Sequence, residues 1–169
     1  MITGGGSGIG KAIAKRFTDA GAAVVIVGRN KEKLESAAAE ISSPRLECMQ
    51  WDISDLSLCE SNFKRAAELI GGLNGFVNAA ALGSAVVTGR GYEPWDITEE
   101  EWDTLTDVNF KAAFFMMRNE VDFMKERGIR GNILNIASNA ACMDITGSYG
   151  AAKQAVIKWT RAFGKRFGS

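Results

Sequence analysis

The sequence predicts an α/β fold of the doubly wound type, a mostly parallel sheet covered by helices. Three observations point there. Short apolar runs rich in β-branched residues alternate with stretches of helical apolar spacing along all 169 residues. A glycine-rich turn joins the first of these strands to the first helix. Polar residues able to do chemistry fall just after strands, on the edge of a parallel sheet where ligands bind.

In order, residues 1–3 read as the tail of a strand and residues 4–10 as the glycine turn. Residues 9–20 carry helical spacing through Ile9, Ile13 and Phe17, and Gly21 stops that helix. Residues 23–27 are a nearly continuous β-branched run, as expected of a strand buried on both faces. A helix is expected over 31–41, an alternating strand over 46–51 and a helix over 56–70. Residues 75–78 form a short apolar strand, and 82–97 a longish loop carrying Tyr92, Pro94 and Trp95. Loops at this edge often select substrate. Thr98 caps a long helix whose first turn holds Glu99, Glu100 and Glu101, favourable against the helix dipole. Residues 132–137 read as another buried strand and 148–167 as the last helix. Such alternation implies right-handed βαβ crossovers within one domain spanning residues 1–169.

Composition narrows the function. Lysine plus arginine equals aspartate plus glutamate at 20 each, so no net charge draws the chain to nucleic acid or membrane. The basic residues Lys158, Arg161, Lys165 and Arg166 recur at helical spacing and read as a solvated helix face. Cys48, Cys59 and Cys142 are odd in number and lack CxxC spacing, which fits a reduced, cytoplasmic protein without a metal site. No basic-then-apolar leader is expected, and no apolar run approaches the roughly 18 residues of a membrane span. The chain has no histidine, which removes Ser-His-Asp and Cys-His systems and HExxH metal centres together. Acid–base chemistry must then come from Tyr, Lys, Asp, Glu or Cys.

The turn reads Thr3-Gly4-Gly5-Gly6-Ser7-Gly8-Ile9-Gly10. Its glycines let backbone approach a ligand closely, and the helix start offers free N–H groups to a pyrophosphate. Gly5 to Lys11 nearly spells a P-loop, but the following Ala12 lacks the hydroxyl that holds magnesium. The spacing GxGxxG does not fit, whereas TGxxxGxG does. Farther along, Tyr149 and Lys153 stand four apart at the start of the last helix and share a face. A free phenol has a pKa of about 10, too high for a base at neutral pH, and an adjacent ammonium favours the phenolate.

The TGxxxGxG turn, the 131–138 strand ending in Ser138, Asp107-Val108-Asn109 and the Tyr-x-x-x-Lys pair together resemble the short-chain dehydrogenase/reductase family. The resemblance covers nearly the whole chain. It implies a Rossmann-like three-layer α/β/α fold, here truncated at both ends, and hydride transfer between a nicotinamide cofactor and a carbonyl or alcohol. Tyr149 would exchange the proton, with Lys153 lowering its pKa and holding the nicotinamide ribose. Ser138 would bond the substrate oxygen, and Asn109 would hold a relay water. Thr3, Gly4, Ser7, Gly8, Ile9, Gly10, Asp52, Ile53 and Asn78 would line the cofactor with Tyr149 and Lys153. Arg29, at the end of the second strand where an acidic residue would bind a ribose 2′-OH, suits a 2′-phosphate instead. NADP(H) is therefore expected ahead of NAD(H), with a small-molecule substrate. The family's helix pairing and the broad apolar cover of Phe110, Phe114, Phe115, Met117, Val121 and Met124 lead to an expected homo-oligomer, dimer or tetramer.

The sequence also departs from the family pattern. Asn78 is followed by Ala79, Ala80 and Ala81, where the family has a second asparagine, an alanine and a glycine. Ser138 and Tyr149 are eleven apart, closer by two than usual. These departures keep a second reading open, a non-catalytic NADP(H)-binding regulator of the same fold.

Overall fold

The computed structural model describes residues 1–90, 96–143 and 147–168. Tyr92, Pro94 and Trp95 of the expected substrate loop lie outside the described residues. The chain divides into two compact units, Met1–Ala80 with Met116–Leu134, and Ala81–Phe115 with Asn135–Ser169.

The first unit is built on a five-stranded parallel sheet flanked by helices. Its strands are β1 (Ile2–Thr3), β2 (Val24–Gly28), β3 (Leu46–Gln50), β4 (Gly75–Asn78) and β5 (Asn132–Asn135), in the order β3-β2-β1-β4-β5. The helices are α1 (Gly8–Asp19), α2 (Lys31–Ile41), α3 (Cys59–Ile70) and the later part of α6 (Ala113–Glu126). The short α4 (Ser84–Thr88) and α5 (Glu99–Thr106) belong to the second unit. Ile2 pairs with Ile26 on one side and Val77 on the other, so β1 is central despite its length. The chain moves outward from β1 to β3, then returns across the sheet to β4. With right-handed crossovers, that reversal puts α1 and α2 on one face and α3 and α6 on the other.

Local chemistry sets the element ends. The Asn30 side chain accepts from the Lys33 N–H at 2.7 Å and starts α2, while Gly71 at φ 73° ends α3. On the α3/α6 face, Phe63 is the hub. Its ring centroid lies 5.0 Å from Phe76 of β4, 5.7 Å from Phe123 of α6 and 6.0 Å from Trp51. Phe63 and Phe76 are each only 1% exposed, and the tilted and edge-on contacts suit aromatic quadrupoles.

Three expectations need correction. Residues 132–137 were expected to be a buried strand, but β5 ends the sheet order and alternates between exposed and half-buried, with Leu134 48% exposed. An end strand has a neighbour on one side only, so apolar content does not ensure burial. In α1 the buried face is Gly10, Ala14 and Thr18, while Ile9 and Phe17 of the apolar stripe are 61% and 42% exposed. Close approach of the helix start to the turn selects the small residues over the large ones. The long helix after Thr98 is also interrupted, by a π-helical segment over Asp107–Ala112 between α5 and α6. Its start is as expected: Thr98 and Glu101 form a reciprocal capping box.

One polar side chain stands out in the core of the first unit. Glu120 of α6 is 0% exposed and accepts from Asn78 Nδ2 at 2.9 Å. Its other carboxyl oxygen has no hydrogen-bond partner among the described residues. Burial pushes its pKa from 4.5 up to about 8.

The second unit contains α4, α5, the π segment and α7 (Gly147–Phe167). A 3₁₀ turn (Asn139–Cys142) packs against α7. Phe110 and Phe114 meet Trp159 at 4.8 and 5.2 Å, and Phe114 meets Phe163 at 5.8 Å, forming a ring row between the π segment, α6 and α7. Lys158, Arg161, Lys165 and Arg166 of α7 are exposed, as a solvated face requires.

Replacing Phe63 with alanine removes three ring contacts at the centre of the first unit. Chemical denaturation of Phe63→Ala is expected to show a loss of about 3–5 kcal/mol. A loss below about 1 kcal/mol would mean that another cluster supports this face.

Candidate active site

The nucleotide-binding candidates are in the first unit. The Thr3 side chain is buried at the end of β1, and its hydroxyl oxygen accepts from the Ala79 and Ala80 N–H groups, each at 3.2 Å. The turn therefore starts against the backbone leaving β4. Gly4 takes φ 69°, and a Cβ there would come within 2.8 Å of the Ala80 N and Cα atoms. A Cβ on Gly10 would meet the Gly4 carbonyl, 2.8 Å from its carbon. Both glycines are required by close backbone approach.

Gly8 takes φ 51°, and Ser7, Gly8 and Ile9 are exposed. Ser7 is the extended N-cap of α1 and makes no side-chain capping bond, while its carbonyl accepts from Lys11 N–H at 3.1 Å. An exposed helix start that its own N-cap side chain does not satisfy can take an anion. The near-P-loop Lys11 is committed elsewhere, to Glu40 at 2.7 Å.

Arg29 follows β2, its carbonyl held by Gln50 Nε2 at 2.9 Å. Its half-exposed guanidinium is 3.9 Å from Asp52. Asp52 Oδ1 accepts from the Ser54 N–H and hydroxyl at 3.0 and 2.8 Å, which fixes the turn after β3. Ile53 is 8% exposed, so its side chain belongs to the core and its backbone is what it offers a ligand. Asn78 closes β4 opposite Thr3.

The proton-transfer candidates are all in the second unit. Tyr149 and Lys153 are one turn apart near the start of α7. Lys153 is 5% exposed, and its ammonium donates to the Ile136 carbonyl at 3.0 Å. Burial pushes its pKa below the usual lysine range. Its Nζ is 5.7 Å from the Tyr149 ring centroid. The Ile136 carbonyl ties the lysine to the chain just before Ser138. The Ser138 hydroxyl accepts from Ala140 N–H at 3.2 Å, capping the 3₁₀ turn, and makes a long 3.4 Å donation to Asn139.

Asn109 lies within the π segment and is 2% exposed. Its Oδ1 accepts from Leu82 N–H at 2.9 Å and its Nδ2 donates to the Leu82 carbonyl at 2.7 Å. The amide thus holds both backbone polar groups of Leu82, at the start of the 82–97 segment. π-Turns are frequent at functional sites because they redirect side chains and carbonyls. Sequence reasoning missed Glu120, although its position among Met116, Met117, Val121, Phe123 and Met124 was a legible signal.

The family model for short chain dehydrogenases matches residues 1–169. The chain belongs to the short-chain dehydrogenase family. An uncharacterized oxidoreductase of Staphylococcus aureus (strain MW2) is 34% identical, over 98% of this chain and 69% of that relative. The closed form of serine dehydrogenase complexed with NADP+ is 28% identical with a TM-score of 0.84, over 100% of this chain and 67% of that one. A 3-ketoacyl-(acyl-carrier-protein) reductase from Brucella melitensis complexed with NADH is 32% identical with a TM-score of 0.84, over 98% and 67%. This short-chain dehydrogenase is an oxidoreductase whose family binds NAD(P). Among its described residues no helix is long and apolar enough to cross a membrane, and no group of three or more His, Cys, Asp or Glu is placed to hold a metal.

Substituting Gly10 with alanine should force the turn away from the Gly4 carbonyl. Thermal melts of Gly10→Ala are expected to show destabilisation of about 1–3 kcal/mol. A variant as stable as the parent would show that the turn relaxes freely.

Proposed function

We propose that this oxidoreductase transfers hydride between NADP(H) and a carbonyl or alcohol substrate, with Tyr149 as acid/base. The observation that carries the reading is the α7 pair: a half-buried tyrosine one turn before a buried lysine whose ammonium is anchored on the Ile136 carbonyl. A lysine held in this way has a fixed position and little water around it. In the reducing direction the Tyr149 hydroxyl gives its proton to the substrate oxygen, and in the oxidising direction the phenolate takes the alcohol proton. Lys153 stabilises the charge that develops on the phenol oxygen and bonds the nicotinamide ribose. Ser138 exchanges its long bond to Asn139 for one to the substrate oxygen. Asn109 retains a second lone pair and a second N–H beyond its Leu82 bonds, enough to orient a relay water.

The residues present fit a dinucleotide. The close approach that Cβ atoms on Gly4 and Gly10 would fill, and the exposed start of α1, suit a pyrophosphate. Thr3, Gly4, Ser7, Gly8, Ile9 and Gly10 would hold it, Asp52, Ile53 and Asn78 would flank the base and sheet end, and Arg29 would take a 2′-phosphate. When bound, the nicotinamide supplies the two-electron chemistry that no side chain provides. Arg29 favours NADP(H) because its guanidinium matches phosphate geometry and is already half-exposed beside Asp52. The same proposal takes residues 1–169 as one dinucleotide-binding domain of a cytoplasmic homo-oligomer. Phe110 and Phe167, at the two ends of the ring row, are 44% and 40% exposed and would contribute to its interface.

The Ala79-Ala80-Ala81 segment favours a second reading, an NADP(H)-binding regulator that turns nothing over. One variant separates the two. With a panel of ketones and aldehydes and NADPH absorbance as the readout, Tyr149→Phe is expected to lose about 100- to 10 000-fold in turnover with nucleotide affinity nearly intact. Turnover equal to the parent would sink the Tyr149 mechanism. Binding without turnover across the panel in the parent protein would favour the regulator.

A further inference from the structure

Glu120 belongs to none of the roles above, yet it is an ionisable side chain buried completely in the first unit. It lies on α6 beneath the end of β4, and its carboxyl accepts from the Asn78 side-chain amide at 2.9 Å. Asn78 is in register with Thr3, whose hydroxyl holds the next two backbone N–H groups, those of Ala79 and Ala80. Gly4 packs directly on that same backbone. An uninterrupted series of contacts therefore runs from Glu120 through Asn78 and Ala79–Ala80 to the first residues of the glycine turn.

We infer that Glu120 is a positioning residue for the nucleotide-binding turn, acting through the side-chain amide of Asn78. The inference rests on the reading of that turn as the cofactor site.

As a neutral acid, Glu120 accepts from Asn78 at modest cost. As a carboxylate it buries a charge whose second oxygen has no donor among the described residues. Such a charge favours separation of α6 from the end of β4, or entry of water, and either loosens Asn78. Burial places this change at about pH 8. The other titratable groups facing it do not compensate. The Met1 amino group, just before β1, is brought down to about 6 by burial and offers little positive charge at about pH 8. The Cys59 thiol of α3 is pushed up by burial and offers no positive charge. The sign is set by burial, the larger effect: a carboxylate accepts more strongly from Asn78, but its desolvation outweighs that gain, so the closed arrangement is favoured at low pH and weakens as pH rises through about 8.

The test is a titration of the full chain with NADPH, following nicotinamide fluorescence at several pH values from about 6 to 9, for the parent, Glu120→Gln and Glu120→Ala. The parent should lose about three- to tenfold in affinity as pH passes through Glu120's ionisation. Glu120→Gln, neutral at every pH and still able to accept from Asn78, should match the parent at low pH and lack that step. Groups common to both proteins cancel in this comparison. Glu120→Ala should bind more weakly than the parent at low pH with an unchanged circular dichroism spectrum. If the alanine variant does not fold, the glutamine comparison alone decides. A glutamine variant that reproduces the parent's pH step, or a folded alanine variant that binds as the parent does, overturns the inference and leaves the cofactor reading standing. A parent protein that binds neither NADPH nor NADH at any pH overturns the cofactor reading, and the inference falls with it.

Discussion

The close approach of three backbone segments at the centre of the sheet is the constraint on which the first unit depends. Gly4 lies against Ala79 and Ala80, Gly10 lies against Gly4, and the Thr3 hydroxyl bonds the backbone leaving β4. Side chains larger than hydrogen at positions 4 and 10 would separate these segments. Because they are joined, the first helix starts where β1 and β4 both end. That is the location at which a reversed strand order opens a crevice in a parallel sheet. The small buried face of α1 follows from the same geometry, which leaves Ile9 and Phe17 on the outside.

Each unit buries an ionisable group. In the second, Lys153 is nearly inaccessible and anchored by one carbonyl, a poor arrangement for stability and a good one for holding an ammonium beside Tyr149. In the first, Glu120 is shielded completely, and one of its carboxyl oxygens has no partner among the described residues. Apolar residues of similar size would stabilise either position. Each is kept in contact with an element that bears candidate site residues, Lys153 with the chain leading to Ser138 and Glu120 with Asn78.

Much of this was legible in the sequence because the signals were local. The Val24–Val27 run, the Thr98 cap with Glu101 and the Tyr149–Lys153 spacing each depend on neighbours a few residues away, and each has its expected local form. The features that were not legible are set by distant partners. Leu134 looks like a core residue until β5 is found at the end of the sheet order. Asn109 is legible as a candidate through the family pattern, but the commitment of its amide to Leu82, 27 residues away, within a π segment that no propensity announces, is not. The face that α1 buries was obscured because apolar spacing assumes that the larger residues win, whereas backbone proximity here reverses the order. Glu120 left a trace as one acid in an apolar stretch, but its partner Asn78 lies 42 residues away.

The central claim is that an oxidoreductase with this glycine turn and Arg29 at the end of β2 works with NADP(H). Parallel titrations of the purified chain with NADPH and NADH, read by nicotinamide fluorescence, test it most directly. The account predicts saturable binding of both with NADPH the tighter. Tighter binding of NADH would contradict the role given to Arg29, and no binding of either would contradict the reading of the glycine turn.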